Sequence, residues 1–159
     1  MKAPVSGDAS TGEPTAGRPI EGESFPPRVR LRRAAEFRLV LARGWRVHGE
    51  HLVVHFLSTQ TGSSRLGLTV SRRVGNSVAR NRMRRWIKEM FRRRLRASMD
   101  DSGVSADMLV RPRPGTSGVG HADLERELLE AVSLWEKRRS KSCRPDRRTR
   151  RGAPPRNNP

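Results

Sequence analysis

The sequence predicts a small α/β sandwich with helices packed on a sheet, in the order helix, strand, strand, long basic helix, strand, helix. A further short strand has room before the basic helix. Three observations carry this. Apolar residues recur at helical spacing near Ala34–Leu41, Ala79–Phe91 and Leu124–Trp135. Strand-like alternation fills the intervals, as in Leu66, Leu68 and Val70. Residues 72–96 hold eleven bases against one acid, Glu89, a pattern that fits one long cationic helix.

Hydrophobic residues make up 33% of the chain, and the central stretch alone is rich enough in them for a core. Residues 1–27, rich in Gly, Pro, Ser, Thr and Glu without periodicity, are expected to be a disordered tail. Residues 28–137 form the predicted domain, and residues 138–159 a basic disordered tail that could add nonspecific RNA affinity.

The first helix is expected from Leu31 to Gly44, with Ala34, Phe37, Val40 and Leu41 on its apolar face. His51–Leu57 then has the β-branched and aromatic bias of a strand. A Ser/Thr/Gly loop leads to a second strand, Arg65–Ser71. The polar face of the two strands, with His55, Gly67, Thr69 and Ser71, is small and suits an open groove. Gly75 punctuates the chain, and Asn76-Ser77 supply N-cap chemistry for a helix from Val78 to about Leu95. Ala79, Met83, Trp86, Ile87, Met90 and Phe91 form its apolar stripe, and Asn81, Arg85, Lys88, Arg92 and Arg96 project opposite. Ala106–Pro112 reads as a short buried strand. His121–Trp135 reads as an amphipathic helix with Leu124, Leu128, Ala131 or Val132, and Trp135 inward.

Charge restricts the function classes. The formal net charge of +18 resides wholly in residues 72–96, which net +10, and 137–151, which net +8. That excess points to a polyanion, most often nucleic acid. No stretch approaches the length of a spanning helix, and Met1–Pro27 lacks the apolar run of a secretory signal. The single cysteine, Cys143, excludes an internal disulfide and suits a cytoplasmic protein. His48, His51 and His55 have no carboxylate or cysteine at recognised metal-ligand spacing, and no paired-carboxylate set for phosphodiester cleavage emerges; Asp100 and Asp101 merely adjoin a helix end.

A solvated charged face would mix signs at four-residue spacing. Here one acid faces eleven bases, and Arg80 and Arg82 sit near the positive end of the helix dipole. Phosphate compensates both features, because arginine forks and free N–H groups at a helix N-terminus each donate to it.

The run Gly67-Leu-Thr-Val-Ser-Arg-Arg-Val-Gly-Asn-Ser-Val-Ala-Arg-Asn-Arg-Met-Arg-Arg-Trp-Ile-Lys-Glu-Met-Phe91 closely resembles the signature region of the bacterial ribonuclease P protein component. The resemblance extends more weakly over Leu31–Lys137. It implies a left-handed crossover through the basic helix. It also implies a role as protein subunit of an endoribonuclease whose RNA subunit removes the 5′ leader of precursor tRNA by Mg²⁺-dependent hydrolysis. The Mg²⁺ would be held mainly by RNA and substrate, and no residue of the protein would be catalytic. On this resemblance Arg72, Arg73, Asn76, Arg80, Asn81, Arg82, Arg84, Arg85 and Lys88 bind the catalytic RNA. Phe37, His55, Thr69 and Ser71 bind the leader, and Phe37 matches a family aromatic that stacks on an extruded base. Leu41 and His55 stand where aromatics are common in the family, and the chain has no tyrosine. The expected partners are the catalytic RNA and precursor tRNA, with neither DNA nor membrane. The alternative is a noncatalytic RNA-binding protein of ribosomal type. A DNA-binding helix-turn-helix fits less well, since no helix stands at the required spacing before the basic one.

Overall fold

The computed structural model describes residues 25–101 and 105–142. Most of both predicted tails, residues 1–24 and 143–159, therefore lies outside the described residues. Four strands form one sheet in the order β1-β2-β4-β3: β1 (Trp45–His48), β2 (Leu52–Thr59), β3 (Arg65–Leu68) and β4 (Ser105–Pro112). The pairs β1–β2 and β2–β4 are antiparallel. β3 and β4 run parallel, so the basic helix between them is a crossover.

The alternation of side chains assigns each face. One row across the sheet is Trp45–Phe56–Met108–Leu66. It faces helix α2 (Ser77–Met90) and helix α4 (His121–Ser142), where Met83, Ile87, Leu124, Leu128 and Trp135 complete the main core. Phe56 stacks on Trp135 with ring centroids 5.4 Å apart. The adjacent row, Arg46–His55–Leu109–Gly67, faces the other way, toward helix α1 (Ala34–Arg43). The result is three layers, with α1 alone on one face.

The basic helix carries a change of period. Its buried residues Ile87, Phe91, Leu95 and Met99 recur every four residues. In a regular α-helix each such step drifts by about 40°. A π-helical turn over Phe91–Leu95 absorbs part of the drift before helix α3 (Arg96–Asp101). The apolar edge therefore stays on the core for six turns or so, longer than the predicted end at Leu95.

Other boundaries also move. The extra short strand is β1, ahead of the first predicted strand and not beside the basic helix. Helix α1 begins at Ala34, because Leu31 donates its N–H to Leu66 carbonyl at 3.0 Å and so adds to the sheet edge. Helix α4 continues five residues past the expected boundary at 137. Phe25 is ordered edge-to-face on Phe91, 5.9 Å between centroids, inside the predicted N-terminal tail.

Polar contacts fix the layers. Arg65 donates from Nε and Nη2 to both carboxylate oxygens of Asp107 at 2.7 Å, and from Nη1 to Glu36 at 2.8 Å. Glu36 also accepts the backbone N–H of Arg32 and Arg33 at 2.9 and 3.0 Å. On the opposite side Glu127 of α4 accepts the N–H groups of His51 and Leu52 and bonds the His51 ring, clamping the β1–β2 turn.

Two predictions follow from the Arg65 contacts. Arg65→Ala leaves Asp107 buried and uncompensated, and should cost about 3 kcal/mol in urea unfolding. The backbone N–H groups of Arg33 and Arg32, then Arg65, hold Glu36 at about 2, below its ordinary 4.5. Its stabilisation is therefore complete above 4.5 and is lost as pH falls toward about 2. Glu36→Gln should lower stability at neutral pH and flatten the loss across that acid window, as read by thermal melts at stepped pH.

Candidate nucleic-acid interface

The turn entering α2 is built for close approach. Arg72–Val74 form a 3-10 turn with both arginine side chains exposed. A Cβ at Gly75 would come within 2.7 Å of Ser117 Cβ, so only glycine lets the turn pack on the loop before α4. Asn76 is the N-cap, its Oδ1 accepting the N–H of Ala79 at 2.8 Å.

Along α2 the cations divide into two groups. Glu89, the single acid of the stretch, pairs with Arg92 at 2.8 Å and with Arg93. The Arg92 hydrogen bond first, then the charges of Arg92 and Arg93, hold its carboxyl below the usual range. Arg94 pairs with Glu125 at 3.0 Å and Arg96 with Asp100 at 3.5 Å. No cation ahead of Glu89 has such a partner among the described residues. Arg80 donates to Gly75 carbonyl at 2.9 Å, Arg82 to Ser117 carbonyl at 3.0 Å, and Arg84 to Asn81 Oδ1 at 3.0 Å. These contacts aim the guanidinium groups and leave their charge uncompensated. The side chains of Arg72, Arg73, Arg85 and Lys88 make no hydrogen bond or ion pair among the described residues, and all four are exposed. The structure thus brings all nine predicted RNA-binding residues onto one turn and the first three turns of one helix.

The sheet face under α1 differs from expectation. His55 is 1% exposed and Gly67 is buried, so neither lies in an open groove. A Cβ on Gly67 would meet Leu31 at 2.8 Å, which shows how closely the segment before α1 covers the sheet. The polar look of these positions in sequence conceals a second, small core of Leu31, Val40 and Leu109, with Phe37, Leu41 and Leu57 packed partly against it. Phe37 is half-buried there. Thr69 and Ser71 are exposed beyond the α1-covered rows, and their hydroxyls have no partner among the described residues. The open part of the face is the next row, His48–Val53–Arg111, with Thr69 joined to it by its N–H to Val110 carbonyl at 3.1 Å.

That row adds residues the sequence reading did not identify. Arg46 and Arg111 are exposed, and with His48 they surround His55. Burial first, then Arg46, Arg111 and His48, push the His55 pKa below 6.5, so its ring is neutral at pH 7. Neither ring nitrogen has a partner among the described residues. Arg46 could have been found from the alternation Trp45-Arg-Val-His48, and Arg111 as the one base of a strand that is apolar from Met108 to Val110. The three clustered histidines diverge: His48 is exposed, His51 bonds Glu127 at 3.1 Å, and His55 is buried.

The ribonuclease P family model matches residues 25–137, well over half of the chain. The chain belongs to the ribonuclease P protein family. Among curated relatives, the ribonuclease P protein component of Thermotoga sp. strain RQ2 is 41% identical over 116 residues, covering 71% of this chain and 86% of the relative. That of Syntrophobacter fumaroxidans is 34% identical over 108 residues, covering 66% and 86%. The solved ribonuclease P protein of Thermotoga maritima superposes with a TM-score of 0.56 at 30% identity, over 66% of this chain and 96% of that one. The Staphylococcus aureus ribonuclease P protein shares the fold, with a TM-score of 0.57 at 24% identity over 68% and 95%. The ribonuclease P assignment makes this chain an RNA-binding subunit in tRNA processing, and the ribosomal-type alternative is not favoured. The enzyme is an endoribonuclease in which this protein is not the catalyst. No helix among the described residues is long and apolar enough to cross a membrane.

His55 supplies the prediction here. Replacing a buried polar ring that lacks partners by an apolar side chain of similar size removes a desolvation cost. His55→Leu should therefore raise stability by about 1 kcal/mol in chemical denaturation. A loss of stability would show that the ring has a partner in solution.

Proposed function

We propose that the unpaired cations of α2 bind the catalytic RNA of ribonuclease P, while the α1-side groove binds the single-stranded 5′ leader of precursor tRNA. The observation that carries this is the division of charge at Glu89: the arginines after it have carboxylate partners, and those before it present bare charge. Arg72, Arg73, Arg80, Arg82, Arg84, Arg85 and Lys88 dock phosphates, with Asn76 capping the first turn and Asn81 holding Arg84. Phosphates accept the forks and also suit the positive end of the helix.

In the groove, Phe37 offers a half-buried ring for one base. Arg46 and Arg111 offer charge to the backbone, and Thr69 and Ser71 offer hydroxyls. His55 lies beneath this surface and shapes it from below. Mg²⁺, held mainly by the RNA and the substrate, would supply charge neutralisation and an activated water for phosphodiester hydrolysis. The domain's buried or half-buried acids fit that division of labour. Glu36 and Asp107 hold Arg65, Glu127 holds the β1–β2 turn, and Asp100 accepts the Ser64 N–H at 2.8 Å. These contacts serve the fold. The family's bacterial relatives support a cytoplasmic place of action.

Reconstitution tests this reading. The protein should accelerate precursor tRNA cleavage by a bacterial ribonuclease P RNA at low Mg²⁺ and moderate salt. Activity no better than with RNA alone sinks it. Arg85→Ala with Lys88→Ala removes two side chains that make no contact within the protein. Assembly should weaken and its log–log salt slope should become shallower by roughly 2, while the thermal melt stays unchanged. Arg80→Ala with Arg82→Ala should weaken assembly as well, with a modest loss of stability from the missing Gly75 and Ser117 contacts.

A further inference from the structure

A second basic, aromatic cavity lies at the β1 edge of the sheet, whereas α2 is entered from β3 at the other edge. It measures about 290 Å³ and is lined mainly by Arg43, Trp45, Ser58, Trp135, Arg138 and Arg139. The Arg138 guanidinium lies 5.2 Å from the Trp45 ring centroid, and that of Arg139 lies 5.0 Å from the Trp135 ring. Among the described residues no carboxylate lines the cavity, and neither Arg43 nor Arg138 has an ion-pair partner. Three arginines converge here because α1 and α4 both end nearby, and cations are favoured at helix C-termini. The sequence beyond α4 holds six more arginines against one acid, Asp146. Arg138 and Arg139 both fall outside the residues matched by the family model.

We propose that this cluster is a second single-stranded RNA site, which takes leader nucleotides upstream of those in the α1 groove. Its composition suits that ligand: guanidinium groups for phosphates, and an indole edge with arginine planes for a base. Continuity selects the leader as the source. The groove row runs from Thr69 through Arg111 and Val53 to His48, so a strand lying along it leaves over β1. Arg46, on the groove face of β1, directly follows Trp45, and Arg43 closes α1, which walls the groove. The inference rests on the proposed leader groove, and the test separates the two.

The holoenzyme is assembled with ribonuclease P RNA and given precursor tRNAs with leaders of about five or about fifteen nucleotides, spanning the short and long site sizes of single-stranded binders. For Arg43→Ala with Arg138→Ala, affinity for the long-leader substrate should fall at least about fivefold, the loss of roughly one stacked or phosphate contact. Its salt slope should become shallower by about 1.4. Short-leader affinity and RNA assembly should not change. An equal loss for both leaders, no loss for either, or a loss confined to assembly overturns the proposal. Phe37→Ala on the short leader reports on the groove itself, so its failure marks failure of the groove reading, whatever the arginine variants do. Both arginines are exposed, and a melt of the double variant checks the fold. If it falls, Arg43→Lys with Arg138→Lys keeps the charge and should still weaken only the long-leader complex.

Discussion

Arg65 is the contact on which the geometry of the α1 face depends. The hydrophobic cluster beneath α1 contains just three buried side chains, Leu31, Val40 and Leu109. So small a patch fixes an orientation weakly, because apolar burial is nondirectional. The guanidinium supplies direction: two parallel bonds to Asp107 on β4 and a third to Glu36 on α1 join three elements through one planar group. Glu36, third residue of α1, also accepts the N–H of the N-cap residue Arg33, so its carboxylate sets both where α1 starts and where it lies. The edge of α1 then decides which sheet rows are covered. His55 and Gly67 fall under it, while Arg111 and Thr69 remain open.

On the other face the constraint is the period of the long helix. Residues spaced by four must keep contact with the sheet, and the π-helical turn makes this possible. The same stretch carries Arg92, Arg93, Arg94 and Arg96, which have carboxylates from Glu89, Glu125 and Asp100. The far half of the helix is thus electrostatically internal to the domain. The near half, capped by Asn76 and propped by Ser117 through Arg82, is left as a rigid positive surface. Rigidity matters here because each arginine already ordered in the free protein loses less freedom on binding.

How legible this was depended on residue spacing. The basic helix, α4 and the strand cores stood out because their apolar residues repeat over several turns or alternations. β1 was missed because four residues between a helix and a turn give periodicity too little length. The polar face under α1 was read as open, since glycine, histidine and threonine look alike in a pattern that scores hydrophobicity. Gly67 is in fact there for closeness to Leu31, and His55 is buried between charged neighbours. The division of α2 at Glu89 could be seen only once the partners Glu125 and Asp100 had positions.

The composition of the groove bears on how a leader would be held. It offers one half-buried aromatic ring, Phe37, with Leu41 one turn further along α1, and two exposed arginines, Arg46 and Arg111, that make no ion pair among the described residues. Stacking grips through the base, whereas arginine grips mainly through the phosphate. A groove weighted toward the second binds the backbone of any leader, depends more steeply on salt, and discriminates less among bases. On the proposed reading, a sparing use of aromatic contacts would let one groove take many different leader sequences, because phosphate contacts carry no base information.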